Sequence, residues 1–425
     1  MSRVSLLVAV VSLGAFASSP TIASAQSFVE FDAPNAGTTG YLGTVPTSIN
    51  SLSSITGYTL DANSVTRGFV RAAGGDITEF AVPNAGTDSS SGTFPWSVNS
   101  AGVITGDFAD ALHVYHGFIR AADGSISVFD CPGAGSQAGN GTFPVSINSS
   151  GVIVGYFGDS NWATHGFIRG SNGNMVELDV AEGHGGTNPI NINSAGVVAG
   201  SYDDVNGISH GFIRGAEGAI TVFDVPDGAN GTNPTSINDN GAVTGSARNS
   251  NEVLRGFVRS QDGTIVEFDV PGAANGMIPT GINNAGVVTG YFKDAAQAQH
   301  AFVRAVSGEI TVIDEPTGNA SPLSTSGVSI NADGSITGVY LDAKNERHGY
   351  VRISTSGAGA TSGGDTAISA PATSGSDRTA TQTQSQSTGG SPGPTSGGGA
   401  MDARWLLLLL VQVGVAAIGR IRERV

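Results

Sequence analysis

The sequence predicts an all-β protein, a seven-bladed β-propeller of four-stranded antiparallel blades. Three observations carry that expectation: a repeated unit, the strand-like segments inside it, and the phase at which the repeat starts and stops. The tripeptide Ser-Ile-Asn, or a close variant, ends at Asn50, Asn99, Asn148, Asn193, Asn238, Asn283 and Asn331, at spacings of 49, 49, 45, 45, 45 and 48 residues. That period is the length of one four-stranded blade.

Each unit holds four short segments rich in Val, Ile, Phe, Tyr and Thr and bounded by Gly, Asn, Asp or Pro, which is a strand signal. The first ends in Ser-Ile-Asn, and the second resembles Gly-Val-Val-Thr-Gly. The third resembles His-Gly-Phe-Ile-Arg, and the fourth Val-Phe-Asp-Val-Pro. No stretch between residues 27 and 353 sustains a helical period. The repeat is also out of phase. It opens on a lone fourth-type strand, Phe28 to Pro34, and stops after the third-type strand His348 to Arg352. An open stack would leave both ends unpaired, whereas a ring lets the N-terminal strand complete the last blade.

Composition agrees with this fold and narrows the partners. Sixty-three Gly, 17 Pro and 13% charged residues fit a turn-rich β protein. A formal charge of -16 excludes nucleic acid as the expected partner, because phosphates call for a Lys/Arg surface. The single cysteine, Cys131, rules out an intramolecular disulfide and reads as a small residue filling a strand end.

The chain ends read as targeting segments. Arg3, the apolar run Leu6 to Phe16 and Ala23-Ser24-Ala25 make residues 1–25 a signal peptide. The propeller spans 27–353. Residues 354–400, almost wholly Ser, Thr, Gly, Ala, Gln and Pro, form a disordered linker. Residues 401–425 form a hydrophobic membrane anchor or sorting segment, with the apolar run Trp405 to Ile418 followed by Arg420, Arg422 and Arg424. With Gly397-Gly398-Gly399 ahead of it, this end resembles bacterial C-terminal sorting signals of the GlyGly type, which implies recognition by a membrane protease. The expected location is extracellular or on the cell surface.

Residues 281–303, Gly-Ile-Asn-Asn-Ala-Gly-Val-Val-Thr-Gly followed by His300-Ala301-Phe302, resemble the bacterial extracellular HAF repeat. The resemblance covers nearly all of 27–353 and implies an exported β-repeat architecture, with no agreed activity. Arg67 and Arg255 depart from it where the other units have His, and Ser53 stands where the first turn expects Gly.

The recurring residues read as scaffold. Asn with Gly three residues on suits a tight hairpin turn. The histidines of five third strands lie in separate blades, too far apart to share one ion at about 2 Å per ligand. They read as polar groups satisfied at a strand start. The arginines ending the third strands, Arg71 to Arg352, are expected to pair with the aspartates ending the fourth, Asp32 to Asp314.

Function is expected in the second-to-third and fourth-to-first loops, read as varying in length and content at one end of the scaffold. The candidate binding residues are Trp162, Asp159, His113, Tyr115, Asp203 and Asp204, because aromatic rings stack on sugars and carboxylates hold hydroxyls or calcium. No Asp-x-Asp-x-Asp-Gly loop supports Ca²⁺, so no cofactor is expected. There is no Gly-x-Ser-x-Gly elbow, His-Glu-x-x-His helix or phosphate loop. The expected function is a monomeric, non-catalytic binding module for extracellular glycan or protein. The alternative is an extracellular enzyme acting on a polysaccharide or lactone-like substrate at the channel mouth.

Overall fold

The computed structural model describes residues 27–89, 91–314, 324–354 and 379–380. The expected signal peptide, the C-terminal anchor and nearly all of the linker lie outside these. Among the described residues there are strands and no helix, so none of them forms a helix long and apolar enough to cross a membrane.

The strands fall into four-stranded antiparallel units. One unit runs Gly186–Ile192, Val198–Asp203, Ser209–Arg214 and Ile220–Phe223, each strand paired with the next. The last unit differs as the repeat phase suggests. Its strands are Ser324–Ile330, Ile336–Leu341 and Arg347–Ile353, and the N-terminal strand Ser27–Phe31 pairs antiparallel with the third of them. Single parallel bridges such as Thr66 to Gly92 join some neighbouring units, but no sheet closes on itself. Thr379–Ala380 pairs with the fourth strand Ile265–Phe268.

Each first strand carries a register shift at one place, between Pro46 and Ser48, Pro189 and Asn191, or Gly327 and Ser329. Proline lacks the donor that a regular ladder needs, and a bulge on an edge strand removes that need. The extra residue then serves the neighbouring unit. Thr235 donates its hydroxyl to Pro279 O at 2.8 Å, and Thr280 does the same to Gly327 O. The glycine opening a first strand has a steric cause: Gly141 has φ 131°, and a Cβ there would stand 2.0 Å from Tyr115 O.

The core lies between adjacent units. The Phe of each His-Gly-Phe segment is fully buried at Phe69, Phe118, Phe167, Phe212, Phe257 and Phe302, with Tyr350 in the last unit. Five of them meet the preceding unit's fourth-strand Phe edge to face, as in Phe80 with Phe118 and Phe223 with Phe257. Burying a ring of this size contributes roughly 2–3 kcal/mol. Cys131 belongs to one of these clusters, and burial pushes its thiol up to about 12.

Two sequence expectations are corrected. Five of the strand-end arginines lie over aromatic rings and not beside the aspartates they were expected to pair with. Arg120 lies over the Phe80 ring of the preceding unit at 5.0 Å, and Arg71, Arg169, Arg259 and Arg304 repeat the contact. The cause is antiparallel pairing: Arg120 sits opposite Ile126 at the start of the fourth strand, whereas Asp130 follows its far end beside His116. The second correction concerns the second-to-third turns, which vary in content but keep one length. Each runs six residues from its Asp or Asn to the His or Arg of the next strand.

Candidate functional site

Every unit is capped at both ends by one backbone device. At one end Asn148 Oδ1 accepts from the amides of Ser150 and Val152, and Gly151 takes φ 78°. Its Nδ2 donates to Asn193 O of the next unit at 3.1 Å. All seven asparagines make this inter-unit bond, and Asn331 donates to Asn50 O.

At the opposite end the cap is Asp61, Asp110, Asp159, Asp204, Asn249, Asp294 or Asp342. Asp159 Oδ1 accepts from the amides of Asn161 and Ala163, both at 2.8 Å. The third residue of the turn is again left-handed, yet it is Ser64, His113, Trp162, Glu252, Gln297 or Asn345, and Gly only at Gly207. A bulky residue with φ near +65° is a conformational outlier. It costs about 1–3 kcal/mol relative to an unstrained position.

The candidates divide when placed on this end. Trp162, at φ 68°, is 60% exposed, and its ring reaches within 3.9 Å of where a Cβ on Gly139 would stand. His113, at φ 60° on the neighbouring turn, accepts Gly139 N on its carbonyl at 2.7 Å. Its ring nitrogens face Ser91 Oγ at 3.3 Å and Asp88 Oδ2 at 3.5 Å. Trp162 and His113 thus border the same loop. Gln137 of that loop donates to Ser160 O, which anchors it to the Trp162 turn.

Asp159 is the cap beneath Trp162, and the Ala163 amide, with Asn161, holds its carboxyl below the usual range. Asp204 caps the next turn. Burial pushes its carboxyl up, but the amides of Ile208 and Asn206 outweigh that and leave it lowered. Asp203 accepts from Ser209 Oγ at 2.6 Å, and burial raises its pKa. Tyr115 is buried against Phe143, in a cluster with Ala109 and Tyr156, and presents no binding surface. Two exposed apolar residues that the sequence reading passed over, Leu112 and Val205, flank Trp162 on the adjacent turns. The signal for them was the constant six-residue turn, which puts Leu112 two residues after its cap Asp110 and Val205 one after Asp204, in the same exposed turns as His113 and Gly207, the counterparts of Trp162.

The third-strand histidines are satisfied, as their reading as scaffold requires. Each stacks on a second-strand ring, as His116 does on Phe108, and each faces an aspartate through Nδ1. Where Arg67 and Arg255 replace His, the ring is absent and Thr59 or Ala247 stands opposite.

No protein-family model matches the chain, and no curated protein matches it. Several solved structures do. A catalytically inactive variant of virginiamycin B lyase from Staphylococcus aureus, solved with quinupristin, is 15% identical with a TM-score of 0.51, covering 77% of this chain and 99% of that one. The selenomethionine-substituted form of that lyase gives 16% identity and a TM-score of 0.50, covering 77% of this chain and 100% of that one. The BP39L lectin from Burkholderia pseudomallei is 9% identical with a TM-score of 0.44, covering 75% and 97%. The fold is β-propeller-like. At these identities the likeness reaches no further, and the units can be called blades.

Proposed function

We propose that the chain is an exported, non-catalytic seven-bladed propeller that binds an extracellular glycan through the turn end bearing Trp162. One observation carries the binding reading. A tryptophan, a bulky apolar residue strained by a left-handed backbone, stands exposed at a turn position where glycine would fold without strain. Its indole stands beside the loop at Gly139, whose amide bonds His113 O, while the Trp162 amide bonds Asp159 O; this sets an aromatic platform among hydrogen-bonding turns, suited to a sugar ring.

Seven blades in a closed ring is supported by two contacts. The asparagine chain returns from Asn331 to Asn50, and the N-terminal strand pairs with Arg347–Ile353. Such closure makes the turn end a rigid platform. Export follows from the signal-like residues 1–25, and N-terminal sequencing of the secreted protein should begin at Gln26. An enzymatic reading draws on the S. aureus lyase for its fold alone, and a propeller scaffold does not set chemistry.

The test is a glycan array probed with the mature protein and with Trp162→Ala. Wild type is expected to retain at least one glycan class that Trp162→Ala loses. A folded wild type that binds nothing, or an unchanged profile for the variant, overturns the reading.

A further inference from the structure

On two of the five histidine-bearing blades a second carboxylate joins the His–Asp contact. His348 Nδ1 lies 2.9 Å from Asp32 Oδ2 and 3.6 Å from Glu30 Oε1. His165 Nδ1 lies 2.7 Å from Asp179 Oδ2 and 3.8 Å from Glu177 Oε1. In each triad the three ligand atoms fall within 4.8 Å of one another. Ligands about 2.0–2.2 Å from one tetrahedral ion stand about 3.3 Å apart, so small side-chain rotations would close either triad on a metal.

The far side of each imidazole suits the same role. His348 Nε2 faces Asp342 Oδ2, and His165 Nε2 faces Asp159 Oδ2, both at 4.0 Å. With an ion on Nδ1 the ring proton would sit on Nε2, and each carboxylate lies on that side, at a distance a side-chain rotation would close to a hydrogen bond. This is the outer-shell partner that metal-ligating histidines commonly have.

The fifth blade displays what the carboxylate pair does when a cation is supplied covalently. Arg255 occupies the histidine position there, and its guanidinium bonds Glu267 at 3.2 Å and Asp269 at 2.6 Å. The other three histidine blades have Val128, Val222 or Val312 in place of the glutamate. They offer His116, His210 and His300 an aspartate on the Nδ1 side without the glutamate.

We propose that Glu30–Asp32–His348 and His165–Glu177–Asp179 are two separate sites for a divalent first-row transition-metal ion. Each gives one imidazole nitrogen and two carboxylates and leaves positions for water. That donor set suits Zn²⁺ or Mn²⁺ and not Ca²⁺, which takes six to eight oxygens. The first site links the N-terminal strand to the last blade, so an ion there fastens the two chain ends of the fold. The proposal is independent of the glycan reading.

The test is calorimetric titration of Zn²⁺ into the EDTA-treated full chain. Two ions per chain are expected, one after His165→Ala or His348→Ala, and none in the double variant. Arg255→His is expected to create a third site, and His116→Ala to keep two. If His348→Ala loosens the fold, Glu30→Gln with Asp32→Asn removes the same ion while keeping the imidazole. The proposal is overturned if folded wild type takes up no Zn²⁺ saturably, or if both single histidine variants keep the wild-type stoichiometry. An Arg255→His protein that still takes two ions contradicts the equivalence of the blades.

Discussion

The two ends of the propeller-like units use the same turn for opposite purposes. At both ends a side-chain oxygen gathers backbone amides and the third turn residue is left-handed. At the asparagine end that residue is Gly in every unit but the first, where Ser53 takes φ 59°. There the amide nitrogen of the cap ties blade to blade. At the aspartate end six of the seven caps are aspartates without such a donor, Asn249 being the exception, and the left-handed position carries a side chain in every unit but that of Gly207. One end uses the turn to hold the blades together. The other accepts left-handed strain at positions whose side chains are largely turned outwards, which is where the proposed binding surface lies.

The largest expected effect lies at the asparagine end. Asn148→Ala removes two capped amides and the bond to Asn193 O inside buried surroundings. The expected loss is about 3 kcal/mol of stability in urea denaturation. Asp294→Ala removes the equivalent cap at the exposed end, where water replaces it, and should cost about 1 kcal/mol. If the two losses were equal, the inter-blade bond would contribute nothing and the distinction between the ends would collapse.

A smaller effect has the opposite sign. Trp162→Gly relieves a left-handed tryptophan and should raise stability by up to about 1 kcal/mol, measured by thermal unfolding. Asp203 sharpens the contrast through pH. Burial raises its folded pKa above the unfolded value, so its favourable contribution is full below the unfolded pKa and is lost as pH rises through the folded one. Asp203→Asn keeps a partner for Ser209 and is expected to be the more stable protein at pH 7. The difference should shrink as the pH falls into the carboxylate range.

Much of the scaffold was legible because it repeats. The asparagine spacing marked the units, and the lone opening strand anticipated the pairing of Ser27–Phe31 with Arg347–Ile353. The Arg–Asp pairing failed because the sequence positions were matched without direction. In an antiparallel pair the end of one strand meets the start of the next, which sets Asp130 beside His116 and Arg120 beside Ile126. Tyr115 was misplaced for a related reason: it opens a strand and turns inwards, although it follows a loop directly. Trp162 and His113 were identifiable as loop residues, but their left-handed backbone and their shared border on Gly139 are three-dimensional facts.

The central claim is that the aspartate end sacrifices stability for binding, and a single pair of readings on Trp162→Gly addresses it. Melting temperature and affinity for an array-selected glycan would be measured on the same preparation as wild type. The expected result is an equal or higher melting temperature together with loss of binding. A variant that binds as wild type does, or that unfolds at a lower temperature, would contradict the claim.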